Sequence, residues 1–132
     1  MNTEKKPMLN DQSTTIEELR NQVEKFVTER DWVQFHSLKN LSMAIAVEAA
    51  ELMEHFMWDK EKNIKVETTK TEIEYELADI IIASFAFANR YNIDITTTLL
   101  NKLDLNKKKY PIEKAKGRSD KYTAYQEKDG NS

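Results

Sequence analysis

Residues 41–56 read LSMAIAVEAAELMEHF, and how this stretch is read decides the fold. Leu41, Ile45 and Leu52 recur at helical spacing, and Glu48 falls on the same stripe. A carboxylate on the buried face of a helix costs several kcal/mol unless something positive meets it. The stretch therefore predicts a helix whose apolar face carries a charge in need of a partner.

What surrounds the stretch is nearly free of helix breakers. The chain has two glycines, Gly117 and Gly130, and two prolines, Pro7 and Pro111, so neither residue occurs between Pro7 and Pro111. Hairpins, bulges and phosphate-cradling loops draw on glycine's access to positive φ. A Walker loop and a Rossmann fingerprint are excluded, and the fold class is all-α. With 132 residues the chain is long enough for one domain with a core. Charged residues make up 33% and the net charge is −3, which gives no electrostatic reason to expect nucleic acid or a membrane surface. Cysteine is absent, which removes disulfides, thiolate metal sites and cysteine nucleophiles. The opening MNTEKKPMLNDQ is polar and lacks a signal-peptide core, so a cytoplasmic protein is expected.

The reading along the chain gives an N-terminal arm over 1–13, an all-α domain over 14–111 and a charged, loosely held tail over 112–132. A first helix starts at Thr14 or Thr15, with Glu17 and Glu18 in its first turn, and ends near Arg30. RDWVQFHSLKN connects it to a second helix from Leu41 to about Trp58. Thr69 with Glu72, and Thr71 with Glu74, have capping-box spacing at the start of a third helix over about 70–91. Its centre, LADIIIASFAFAN (77–89), is apolar on nearly every side, so it is expected to be the most buried element and to need cover from neighbours or a second subunit. Asp94 caps a fourth helix that Pro111 stops.

Glu48 and Glu51 are three apart, so on a helix they share a face, and Glu76 and Asp79 repeat the arrangement on the third helix. If those helices pack antiparallel, four carboxylates converge in a low-dielectric cleft and repel unless cations join them. Hard oxygen donors suit Mg²⁺, with Mn²⁺ as a substitute. A di-iron bundle needs Glu-x-x-His, and the residues three before His36 and His55 are Val33 and Leu52. A single acidic pair is a weak signal, and lysines at the core edge are the competing explanation for these acids.

Three segments, ERDWVQFHSLKNLSMAIAVEAAELMEHFMW, ELADIIIASFAFANRYNIDI and NKLDLNKKKYPIEKAKG, resemble the MazG-like all-α nucleoside triphosphate pyrophosphohydrolases, and within them the dCTP pyrophosphatase branch. The family's E-x-x-E and E-x-x-D motif falls on Glu48, Glu51, Glu76 and Asp79. Val47 stands where some members carry a further Glu, and Ala83 where the dCTP-hydrolysing branch carries an aromatic against the base. The resemblance implies a four-helix bundle completed by oligomerisation, as a homodimer or homotetramer. It also implies hydrolysis of a nucleoside triphosphate, such as dCTP or a modified pyrimidine analogue, to monophosphate and pyrophosphate.

In that setting the four acids are expected to hold the metal, with Glu51 orienting or deprotonating the attacking water. Lys102, Asn106, Lys109 and Tyr110 are candidates for the triphosphate, against the plainer reading of NKKKY as a solvated helix end. Trp32, His36 and Trp58 are candidates for the base, against core packing of the indoles and a satisfied imidazole. The alternative for the whole chain is a non-catalytic helical interaction module with a structural acidic cluster.

Overall fold

A computed structural model describes residues 9–57 and 70–125. Trp58, Thr69 and the linker between the second and third helices lie outside the described residues. Every regular element among the described residues is helical. In chain order these are α1 (Ile16–Glu29), a 3-10 turn (Val33–Phe35), α2 (Leu38–Glu54), α3 (Lys70–Arg90), α4 (Ile95–Lys109) and the short α5 (Ile112–Ala115). α1 to α3 belong to one compact unit, residues 1–93, and α4 and α5 to another, residues 94–132.

The helix starts are written in side chains. Thr15 accepts a hydrogen bond from the Glu18 amide at 3.1 Å, while Glu18 Oε2 accepts from the Thr15 amide at 2.6 Å, a reciprocal capping box. Asp94 accepts from the Thr97 amide at 2.8 Å and opens α4. Ser37 accepts from the Asn40 amide, so α2 begins at Leu38 rather than Leu41 and ends at Glu54 rather than near Trp58. The aromatic connector had masked this cap. Thr71 lies inside α3 and so does not cap it.

Without glycine, the helices stop through Asp31 and Asn92, whose φ values are 53° and 55°. Asp and Asn tolerate this left-handed conformation better than other side chains. At the end of α1 the Asp31 amide donates to Thr28 O and the Trp32 amide to Val27 O, both at 3.1 Å. This is a Schellman closure. Trp32 then packs edge-on against Phe26, six residues back, with centroids 5.5 Å apart. At the end of α3 the Ile93 amide donates to Ala88 O at 2.9 Å.

Within the first unit α3 is the hub, packing most extensively on α2 and also on α1. Arg20 of α1 donates from Nε to Asn89 Oδ1 at 2.9 Å, and Asn89 returns a bond to the Arg20 carbonyl at 3.1 Å. Its core is small: among the described residues of this unit Val27, Leu41, Ala86 and Ala88 are the buried apolar ones. The expectation that α3 is the most buried element holds only at its C-terminal end. Leu77, Ile81 and Ile82 remain 50%, 43% and 45% exposed in the isolated chain, and on α2 Met43 and Val47 are each 55% exposed.

In the second unit the described residues after Pro111 pack on the end of α4. Pro111 ends α4 and caps α5, and the chain returns so that the rings of Tyr122 and Tyr125 both meet Tyr110 edge-on at 6.1 Å. Tyr125 is 5% exposed, and the Arg118 guanidinium lies 4.8 Å from its ring centroid. Tyrosines hidden among lysines carry this packing, which a reading of charge alone passes over.

Candidate active site

α2 and α3 bring three of the four anticipated carboxylates together. One oxygen each from Glu48, Glu76 and Asp79 lies within 4.8 Å of the other two. Glu51 stands outside this trio but within hydrogen-bonding reach of Glu48 on the same helix. His55, at the end of α2, places Nε2 3.5 Å from Glu76 Oε1. With His55 near Glu76 and Glu48 near Asp79, later residues of α2 meet earlier residues of α3, the antiparallel arrangement the spacing anticipated.

The electrostatics are unfavourable as they stand. Glu48 Oε2 and Glu76 Oε2 are sealed from solvent and have no hydrogen-bond partner. Burial pushes the Glu48 carboxyl above its ordinary value, reinforced by the contact and charge of Glu51 and then by the charges of Asp79 and Glu76. Among the described residues no lysine or arginine pairs with any of the four acids; the basic side chain beside them is His55, whose Nε2 lies near Glu76. Two orphaned, hidden oxygens on an all-oxygen donor set fit a hard divalent cation, and they do not fit the competing picture of lysine-paired core acids.

The remaining candidates are distributed over both units. Trp32 is 41% exposed at the start of the 3-10 turn, with its edge-on contact to Phe26 giving it a packing role of its own. His36, at the end of that turn, lines a cavity of about 80 Å³ with Glu24, Val33, Asn89 and Arg90, room for a few waters. In the second unit Lys102 is exposed and Asn106 half-buried on α4. Lys109 Nζ stands 5.2 Å from the Tyr122 ring centroid, and Tyr110 is the residue that ends α4. Lys108, Lys109 and Lys114 share a groove of about 330 Å³ with Tyr122 and Tyr125.

His55 escaped sequence reasoning, where it counted only against a di-iron motif. Its spacing carried the signal: it lies seven residues after Glu48 and four after Glu51, on the same helical face.

Known proteins resemble this chain over most of its length. The model of the MazG-like family matches residues 43–124. Bovine (Bos taurus) dCTP pyrophosphatase 1 is 36% identical over 113 residues, which are 83% of this chain and 67% of that protein. The human (Homo sapiens) dCTP pyrophosphatase 1 is 34% identical over 113 residues, 83% of this chain and 66% of its own. The chain thus spans about two thirds of the length of these relatives. The crystal structure of a pyrophosphatase from Archaeoglobus fulgidus superposes with a TM-score of 0.69 at 30% identity, covering 79% of this chain and 99% of that one. With a family model matched over more than half of the chain and relatives 34–36% identical over 113 residues, the chain belongs to the MazG-like family, in its dCTP pyrophosphatase-like branch.

Proposed function

We propose that this chain is a Mg²⁺-dependent hydrolase of a deoxynucleoside triphosphate, dCTP or a modified pyrimidine analogue, releasing pyrophosphate and the monophosphate. The coarser statement, that it is a nucleoside triphosphate pyrophosphohydrolase, follows from its family and from the activity for which its relatives are named. The observation that carries the finer reading is the trio of acids with two hidden, partnerless oxygens.

Glu48, Glu76 and Asp79 would hold the metal, with Glu51 beside them. A divalent cation bound there supplies Lewis acidity toward phosphate oxygens and lowers the pKa of a bound water. Glu51, the acid outside the trio, would accept the proton as the water oxygen bonds to phosphorus and a phosphoanhydride P–O bond breaks. Lys102, Asn106, Lys109 and Tyr110 are assigned to the triphosphate as charged and neutral donors. Trp32, His36 and Trp58 are assigned to the base. Ala83, small and half-buried one turn after Asp79, would leave more room beside the base than an aromatic ring there, which favours a substituted pyrimidine.

The assembly is part of the same reading. Leu77 and Ile81 on α3, with Met43 and Val47 on α2, leave more apolar surface exposed than a lone protomer of this size keeps. A second copy is the natural cover, giving a homodimer or a dimer of dimers. Sedimentation at nanomolar concentration should still find an oligomer, and an active monomer there contradicts this part.

The activity test is a panel of canonical and modified triphosphates assayed for pyrophosphate with Mg²⁺ present and absent. Metal-dependent release, greatest for a pyrimidine deoxynucleotide, is expected. No release from any member at micromolar enzyme refutes the reading. A structural acidic cluster in a non-catalytic module would show neither turnover nor metal-dependent stability.

A further inference from the structure

We propose that His55 is a positioning residue that makes Glu76 a one-oxygen metal ligand and thereby sets the site's preference for small cations. The inference rests on the metal reading given above and adds to it the choice among cations. The two oxygens of Glu76 have different fates. Oε1 faces His55 Nε2 at 3.5 Å, while Oε2 is sealed from solvent and has no partner. The imidazole and the carboxylate are both largely covered, with side chains 21% and 24% exposed, so the contact is shielded from competing water. His55 is also the residue that closes α2, where its amide donates to Met53 O. An imidazole held against Oε1 would leave Oε2 to face Glu48 and Asp79.

That division has a chemical consequence. Mg²⁺ and Mn²⁺ favour compact octahedral sites in which each carboxylate gives one oxygen, whereas Ca²⁺ is larger and accepts both oxygens of one carboxylate. An imidazole that occupies Oε1 disfavours the two-oxygen mode and so disfavours Ca²⁺. Outer partners of metal-binding carboxylates act in this way, and removing one lowers metal affinity by roughly 10–100-fold.

The test is a pair of substitutions that differ in reach but little in polarity. In His55→Gln the side-chain amide can take the place of Nε2, whereas in His55→Asn it stops short. Calorimetric titration and thermal shift with Mg²⁺, Mn²⁺ and Ca²⁺ alone, without nucleotide, give the affinities of wild type and both variants. Glu76→Gln serves as the control that should lose all three cations. We expect His55→Gln to stay within a few-fold of wild type. His55→Asn should lose Mg²⁺ affinity by roughly tenfold or more while losing less for Ca²⁺, so that its Mg²⁺/Ca²⁺ ratio falls. Equal cation affinities and equal ratios in the two variants overturn the proposal. Absence of any metal effect in the wild type instead overturns the metal reading itself.

Discussion

Replacing Glu48 with Gln should make the metal-free protein more stable while removing its response to Mg²⁺. The oxygens of Glu48, Glu76 and Asp79 lie within 4.8 Å of one another. A full charge pair at that distance repels by about 3.5 kcal/mol at an effective dielectric of 20. Asp79 is exposed and the two glutamates only half-buried, so solvent screening reduces this to about 1 kcal/mol per pair. Gln removes the pairs with Glu76 and Asp79, a gain of about 2 kcal/mol, or about 6–8 °C in Tm for a chain of this size. Wild type should recover about 2.7 kcal/mol when Mg²⁺ stands a hundredfold above its Kd, and the variant should recover little. Thermal melts in EDTA and in Mg²⁺ read both effects, and the order of stabilities should narrow or invert between the two buffers. A variant that melts lower than wild type in EDTA and still responds to Mg²⁺ as wild type does would refute the reasoning.

Further expectations follow from the same geometry. In the metal-free protein the Glu48 carboxyl is raised above its ordinary 4.5, so in the interval above 4.5 the folded form holds more protons than the unfolded one. The stability this contributes is fully present below about 4.5 and is lost as pH rises through the folded value; urea melts in EDTA across pH 4–8 should show that decline, and Glu48→Gln should flatten it. Thr15→Ala removes one half of the α1 capping box and should cost about 1 kcal/mol, measurable by denaturation, with hydrogen exchange accelerated in the first turn of α1 and little change in turnover. Lys109→Ala should raise the KM for the triphosphate about tenfold or more with kcat less affected, since a charged hydrogen bond contributes about 1.5–3 kcal/mol. An unchanged KM would move Lys109 from substrate binding to the packing it makes with Tyr122.

How much of this was legible in the sequence depended on how local the physics was. Thr15 and Asp94 act on amides within three residues of themselves, and both helix starts were readable. The acidic pairs were readable because three-residue spacing fixes a shared face, and antiparallel packing then joined Glu48 with Glu76 and Asp79. Ser37 was hidden by the aromatic residues around it, which suggested a connector where a helix begins. The exits at Asp31 and Asn92 use a left-handed conformation that composition associates with glycine. Hydrophobicity gave α3 its identity but not its exposure: Leu77 and Ile81 are apolar yet stay 50% and 43% exposed, which composition alone does not specify. His55 and Tyr125 depend on contacts with particular neighbours, Glu76 and Tyr110, which no local pattern specifies.

The account stands on a dication shared between α2 and α3. Anomalous diffraction from crystals soaked in Mn²⁺ locates such an ion directly. A peak about 2.0–2.2 Å from oxygens of Glu48, Glu76 and Asp79, lost in the Glu48→Gln crystal, is the expected result. Carboxylates that remain bare in Mn²⁺-saturated crystals, or a peak confined to another surface, would contradict it.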